Sequence, residues 1–226
     1  MTPEGRSALR GSSAHVIVDD VGAPSLDDDD RHHLARVLRL ADGSMVSVTD
    51  GRGGWRMCRF EGGGVVPITE TVVEEARAVP VTVAVAIPKQ DRPEWIVQKL
   101  TELGVDRVVF LQADRSVVRW DTERSSRHLA KLQRVAREAS RQSRRVWLPS
   151  IEGPVGTPSF LPSAVVAHPD GMPDDGSAST IAVGPEGGWT DREVEMAAGV
   201  VSLGSTILRV ETAALAAAVL RRPMDG

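Results

Sequence analysis

The sequence has little cysteine and no long apolar segment. Cys58 is the one cysteine among 226 residues, so an internal disulfide is excluded. No stretch approaches the roughly 18 apolar residues of a membrane-spanning helix, and Met1–Ser13 lacks the apolar run of a secretory signal. Histidines and cysteines do not occur at metal-ligand spacing. We therefore expect a cytoplasmic protein with no membrane partner and no metal.

Charge is distributed unevenly along the chain. The hydrophobic content of 41% allows a substantial core, and the formal net charge of −4 argues weakly against a nucleic-acid partner. However, Asp114–Arg145 holds ten basic residues against four acidic ones, whereas Asp19–Asp30 holds six aspartates and no base. Such asymmetry is expected when one face of a protein meets an anion.

The first seventy residues favour a small β-barrel. Turn signals such as Asp42-Gly43 and Gly62-Gly63-Gly64 separate short alternating segments. A helix is predicted near Asp30–Leu40, with Leu34, Val37 and Leu38 on one face. The predicted strands are His15–Val18, Met45–Val48, Trp55–Phe60 and Val65–Thr69.

The rest of the chain alternates strands with helices, which predicts an α/β fold with a parallel sheet. Strands are predicted at Val81–Ile87 and Arg107–Leu111, and the helix between them would begin at Asp91 with Glu94 as its reciprocal cap. A terminal helix is predicted over Glu211–Arg222. We therefore expect two domains, residues 1–74 and 75–226.

The segment Thr122–Arg145 predicts a long helix with one apolar and one basic face. The apolar stripe consists of Leu129, Leu132, Val135 and Ala139. The basic stripe consists of Arg127, Lys131, Arg134, Arg141 and Arg145. This stripe is either a solvated surface or a track for phosphates, with Arg144 placed to reach inward.

A glycine-rich segment, Gly184–Gly188, follows a predicted strand at Thr180–Val183 and precedes a capping box from Thr190 to Glu193. Glycine lets the backbone approach a ligand, and open α/β sheets bind ligands at the carboxyl ends of their strands. The segment matches neither the dinucleotide fingerprint nor the P-loop. It is either a ligand site or a tight turn.

Two further residues have both a functional and an ordinary interpretation. Arg209 follows a second glycine turn at Leu203-Gly204, where it would contact a substrate or pair with Glu211 at a helix start. His168, after a predicted strand at Ala164–Ala167, would contact a ligand or lie in an ordinary loop.

Four segments together resemble the RsmE family of SPOUT RNA methyltransferases. They occur in the family's order over about 120 residues, and His33–Arg39 extends the resemblance toward the N-terminus. The N-terminus itself departs from the family, which usually begins with an Arg-Phe-Phe strand, and Val210 stands where threonine is common. The matching segments are Val97–Val105, Glu138–Arg144 with Pro149, Val183–Gly188 and Leu203–Thr212.

The resemblance implies a PUA-like barrel that helps to hold RNA, followed by a domain with a C-terminal trefoil knot. It also implies a homodimer, and S-adenosylmethionine as the cofactor, bound among three loops of the knot. The cofactor-binding residues implied are His168, Val183, Gly184, Pro185, Glu186, Gly187, Gly188, Leu203, Gly204, Ile207, Leu208 and Thr212.

The reaction implied by the resemblance is methylation of a uridine N3 in 16S ribosomal RNA of the small subunit. Arg144 and Arg209 would stabilise negative charge on the uracil, and Glu186 or Glu211 would orient an arginine or relay the N3 proton. The RNA-binding residues expected are Arg36, Arg39, Arg127, Lys131, Arg134, Arg141 and Arg145. Two alternatives stay open: a SPOUT enzyme that methylates a ribose 2′-hydroxyl of transfer RNA, and an RNA-binding protein without activity.

Overall fold

The computed structural model of the chain describes residues 1–89 and 92–221, without the side chains of residues 122–124. It divides into two compact units, residues 1–77 with 140–148, and residues 78–139 with 149–226. The helices are α1 (Pro3–Gly11), α2 (Asp28–His32), α3 (Arg92–Glu102), α4 (Thr122–Ser143), α5 (Thr157–Phe160), α6 (Asp191–Met196) and α7 (Val210–Leu220). The strands are β1 (Ala14–Ile17), β2 (Met45–Thr49), β3 (Gly54–Glu61), β4 (Gly64–Pro67), β5 (Val72–Val73), β6 (Thr82–Ala86), β7 (Arg107–Gln112), β8 (Ser150–Gly156), β9 (Val165–Pro173), β10 (Thr180–Val183) and β11 (Gly199–Ser202).

The first unit is built on a sheet in the order β1-β2-β3-β4, with β5 also paired to β3. The strands β1 and β2 are parallel, and the other pairs are antiparallel. Alternating apolar residues of these strands meet in one core that includes Val46, Val48 and Phe60. The strands β1 and β2 are buried along most of their length, whereas both residues of β5 are exposed.

The second unit is a parallel sheet in the order β11-β9-β10-β6-β7-β8. Its central strands are fully buried, because apolar residues pack on both faces. Leu100 of α3 and Ala214 of α7 belong to the core on one face, and Leu161 and Trp189 to the core on the other. The predicted parallel sheet is therefore confirmed.

Three local expectations were wrong or incomplete. Residues Pro3–Gly11 form a helix that the sequence interpretation missed, although Thr2 caps it and a proline opens it. The predicted helix near Asp30–Leu40 changes after α2 into a π-helical turn, His33–Val37, which leaves Val37 and Leu38 exposed and only Leu34 buried. The strand β8 lies in a stretch rich in proline and glycine that gave no strand signal.

Two helix ends lie at the limits of the described residues. Asp91, the predicted cap of α3, and Arg222, the predicted end of the terminal helix, are outside them. Within residues 1–89 and 92–221, no helix has the length and apolar character to cross a membrane.

Candidate ligand site at the carboxyl edge of the parallel sheet

A cavity of about 540 Å³ lies at the carboxyl ends of β10 and β11, beside the middle of β9. Most of its walls come from three chain segments, which are the bulge in β9, the glycine loop after β10 and the turn after β11. Arg115, which follows β7, also lines it. Small-molecule sites commonly measure roughly 300–1,000 Å³. The cavity therefore has the size and the position expected of a ligand site in an open α/β sheet.

A bulge in β9 forms the first wall. Val166 pairs with Val200, but the next pair is Met172 with Val201, so the intervening residues leave the ladder. His168 and Pro169 from this bulge line the cavity. The backbone N–H of Asp170 donates to Nδ1 of His168 at 3.2 Å. In the neutral ring, Nε2 of His168 therefore carries the hydrogen.

The glycine loop forms the second wall. A Cβ added at Gly184 would lie 2.9 Å from the ring of Trp189, so only glycine fits there without displacement. Gly188 adopts a φ of 72°, which glycine tolerates best. The indole Nε1 of Trp189 donates to the carbonyl of Ala167 at 3.1 Å and ties the loop to β9. The loop is thus a fixed part of the cavity.

Two charged residues from other segments of the chain support the glycine loop, and one of them, Arg115, also lines the cavity. Arg115 Nη1 donates to the carbonyls of Gly187 and Trp189 at 3.1 and 3.0 Å. The buried Glu193 accepts from the backbone of Asp114 at 3.0 Å and of Thr190 at 2.9 Å. Burial alone would raise the pKa of Glu193, but these hydrogen bonds outweigh it and lower the pKa. The predicted capping box is confirmed, whereas Arg115 was missed.

The turn from Leu203 to Val210 forms the third wall, and Arg209 lies exposed at its end. Of the residues predicted to bind a cofactor, all but Thr212 line the cavity. Thr212 lies exposed in the first turn of α7. The predicted cofactor-binding residues that line the cavity are thus separated by up to 40 positions in the sequence.

Comparison with known proteins assigns the chain to a family. A model of the RNA methyltransferase domain matches residues 75–221, and one of the RNA methyltransferase PUA domain matches residues 26–64. Ribosomal RNA small subunit methyltransferase E of Synechocystis is 36% identical over 208 residues, covering 80% of this chain and 67% of that protein. The chain belongs to the ribosomal RNA small subunit methyltransferase E family.

Other members of the methyltransferase E family are similar to this chain along most of their length. The Mycobacterium bovis protein is 32% identical over 224 residues, covering 88% of this chain and 86% of that protein. A crystal structure of the Neisseria gonorrhoeae protein, bound to S-adenosyl methionine, matches with a TM-score of 0.75 at 26% identity, covering 91% of this chain and 95% of that chain. The predicted family, the PUA-like domain and the enzyme class of RNA methyltransferase are confirmed.

The four predicted catalytic residues lie in different surroundings. Glu186 and Arg209 line the cavity, whereas Glu211 lies in the first turn of α7, against Arg92. Arg144 belongs to the first unit, where Nε donates to the carbonyl of Leu9 at 3.2 Å and Nη2 to that of Ser12 at 2.8 Å. Burial lowers the pKa of Arg144. These contacts give Arg144 a structural role, and its catalytic role stays a prediction.

The predicted RNA-binding residues differ in how exposed they are. Arg141 forms an ion pair of 2.8 Å with the buried Asp30, and Nε of Arg145 donates to the carbonyl of Trp147 at 3.1 Å. The side chain of Lys131 is half exposed, and its Nζ lies 2.5 Å from Oε1 of Glu94. The remaining predicted RNA-binding residues are exposed, namely Arg36, Arg39, Arg127 and Arg134. No metal-binding group of histidine, cysteine or carboxylates occurs among the described residues.

Proposed function

We propose that this protein transfers a methyl group from S-adenosylmethionine to N3 of a uridine in 16S ribosomal RNA of the small subunit. The observation that carries the proposal is the convergence of three loops, in a chain of the methyltransferase E family, on a cavity of about 540 Å³. The relative from Neisseria gonorrhoeae, which binds S-adenosyl methionine, supports the choice of cofactor.

The cavity suits a nucleoside-containing donor. The glycine loop offers backbone N–H and C=O groups without side chains in the way, and Leu203, Ile207 and Leu208 offer apolar surface. Ile207 has 81% of its surface exposed, as expected of a side chain that a ligand would cover. When bound, S-adenosylmethionine supplies an electrophilic methyl group. The chain's own residues hold the donor, exclude water and orient the uracil against it.

Arg209 is the cavity arginine that we propose stabilises the uracil. As N3 loses its proton, negative charge develops on the two carbonyl oxygens, and a guanidinium placed beside them lowers the barrier. Arg209 is exposed and lines the cavity, which supports this role. The exposed arginines Arg36, Arg39, Arg127 and Arg134, with Lys131, are proposed to bind the phosphates of the RNA.

We also propose the trefoil knot and the homodimer that the family resemblance implies, and the cytoplasmic location expected from the sequence. The apolar helix α7 supports the homodimer, because Val219 and Leu220 are exposed at its end. Met172 adds further exposed apolar surface in the same unit. Sedimentation equilibrium tests this part, and a monomer at all concentrations would contradict it.

Methyl transfer followed by mapping tests the proposed function. The protein is incubated with labelled S-adenosylmethionine and either small ribosomal subunits that lack the modification, free 16S RNA or transfer RNA. We expect label in the small-subunit RNA, at a uridine that mass spectrometry identifies as N3-methyluridine. Label on a ribose of transfer RNA would overturn the choice of substrate, and absence of transfer with all three would overturn the enzymatic function.

A further inference from the structure

One guanidinium lies between two carboxylates beside the cavity. Nη1 of Arg92 donates to Oε1 of Glu186 at 3.4 Å and lies 3.6 Å from Oε2 of Glu211. Arg92 opens α3, Glu186 belongs to the glycine loop and Glu211 to the first turn of α7. The three charges thus connect three elements that are distant in sequence.

The two carboxylates are not equivalent. Glu186 lines the cavity, and its side chain is 46% exposed. The side chain of Glu211 is 18% exposed, and among the described residues its Oε2 is buried without a hydrogen bond. Glu186 is therefore the carboxylate that a bound base can reach, whereas Glu211 faces Arg92.

The other polar side chains of the cavity are poorly suited to accept a proton. Ser202 and Thr206 line it with neutral hydroxyls, which accept hydrogen bonds but are very weak bases. Arg115 and Arg209 have no acceptor atom. His168 has its Nδ1 occupied by the N–H of Asp170, so its neutral ring presents a hydrogen at Nε2. Among the described side chains that line the cavity, Glu186 is thus the one suited to accept a proton.

We propose that Glu186 accepts the N3 proton of the uracil and that Arg92 is the positioning residue that aims Glu186. The proposal rests on the proposed function. The N3–H bond breaks, its proton passes to a carboxylate oxygen of Glu186, and the N3 electron pair attacks the methyl carbon. The methyl–sulfur bond breaks and its electrons stay on sulfur. The products are N3-methyluridine, S-adenosylhomocysteine and protonated Glu186, which then loses the proton to water.

Glu211 anchors Arg92 in this arrangement. When Glu186 takes up the proton it becomes neutral, and its attraction for the guanidinium of Arg92 weakens. Glu211 retains its charge and lies close to the same nitrogen, at 3.6 Å. Arg92 therefore stays in place through the cycle, ready to hold Glu186 once the proton has left.

A double-mutant cycle tests the proposal. Single-turnover methyl transfer onto small subunits is measured with the full-length protein at saturating S-adenosylmethionine, for Glu186→Gln, Arg92→Ala and the double variant. Glu186→Gln should slow the reaction by about 10²–10⁴-fold, the usual contribution of a general base. Arg92→Ala should slow it by at least about tenfold, and the double variant should be no slower than Glu186→Gln alone.

Matched variants separate positioning from folding. Arg92→Lys should recover part of the rate, and Lys99→Ala, which removes another cation of α3 paired with Glu102, should match the wild type. All variants should bind S-adenosylmethionine within about threefold of the wild type by calorimetry.

The proposal is overturned if Glu186→Gln keeps the wild-type rate, or if the two rate losses multiply in the double variant. It is also overturned if Arg92→Ala loses donor binding rather than rate. A wild-type protein that methylates no ribosomal RNA would instead refute the proposed function, so the two failures are distinguishable.

Discussion

At the scale of single residues, local sequence patterns reveal the glycine loop but not the side chains that hold it. Gly184–Gly188 was recognisable because glycines follow an apolar strand directly. Arg115 contacts Gly187 from 72 positions away, and Arg92 contacts Glu186 from 94. No periodicity links residues at such distances. The contacts of these two arginines can therefore be recognised only in the folded structure, which brings them close to the glycine loop.

Arg115→Ala should weaken the binding of S-adenosylmethionine by about tenfold. The guanidinium holds two carbonyls of the glycine loop, and charge-assisted hydrogen bonds contribute roughly 1.5–3 kcal/mol when buried, less at this exposed position. Calorimetric titration measures the effect, with Arg119→Ala, an exposed arginine of the same loop, as the control. Unchanged affinity in Arg115→Ala would show that the loop keeps its conformation without this side chain.

His15 should make the stability of the first unit depend on pH. Burial lowers its pKa from 6.5 to about 4, opposed by the Arg145 carbonyl and assisted by Arg144 and Arg141. The unfolded chain therefore binds a proton between pH 6.5 and 4 that the folded chain excludes, so stability falls as the pH is lowered through this range. The loss attributable to His15 is about 3 kcal/mol.

Urea denaturation of the wild type and of His15→Gln, at pH 7 and pH 4, measures this contribution. Other groups also titrate in the range, so the difference between the two proteins isolates His15. The wild type should lose about 3 kcal/mol more than the variant on acidification. Equal losses in the two proteins would contradict the buried neutral imidazole.

At the scale of elements, strands and helices are predictable from the sequence where apolar residues recur in a regular pattern. They are not predictable where the local backbone conformation departs from that pattern. The parallel strands β6, β7 and β10 match their apolar runs closely. The π-helical turn His33–Val37 was not predictable, because an extra residue per turn moves Val37 and Leu38 off the buried face. The strand β8 contains Gly153 and Pro154, which normally argue against a strand.

A buried ion pair fastens the end of α7 to the segment after β9. Arg221 and Asp174 form two hydrogen bonds of 2.7 and 3.2 Å, and both side chains are 1% exposed. Removing one partner leaves a buried charge uncompensated, so Arg221→Ala should lower the free energy of unfolding by about 3 to 5 kcal/mol.

Chemical denaturation measures the loss, with Lys99→Ala as a control that breaks a more exposed pair and should cost about 1 kcal/mol or less. A loss in Arg221→Ala no greater than that of the control would contradict an energetically important pair.

At the scale of the whole molecule, the sequence predicts two domains. It does not predict that a later segment of the chain belongs to the first compact unit. The segment Ser140–Leu148 belongs to the first unit, whereas the sequence interpretation placed it in the second domain. Its contacts explain why: Arg141 pairs with Asp30, Arg144 bonds Leu9 and Ser12, and the Arg145 carbonyl accepts from His15. All these contacts join residues more than 100 positions apart, beyond the reach of local patterns.

The exposed part of the basic stripe should govern RNA affinity. Arg127 and Arg134 lie exposed on α4, unlike Arg141 and Arg145. Replacing both exposed arginines by alanine should weaken RNA binding and reduce the salt dependence of the binding constant by about 0.7 to 0.9 per lost phosphate contact. Filter binding at several salt concentrations measures the change. Arg192→Ala is the control, and an unchanged salt dependence in the double variant would place the RNA elsewhere.

The central claim is that the cavity at the carboxyl edge of the parallel sheet holds the methyl donor. A crystal structure of the protein with S-adenosylmethionine tests it most directly. The donor should lie between the glycine loop Gly184–Gly188 and the turn Leu203–Leu208, with its methyl group facing the side of Glu186 and Arg209. A donor bound at another place, with this cavity empty, would contradict the account.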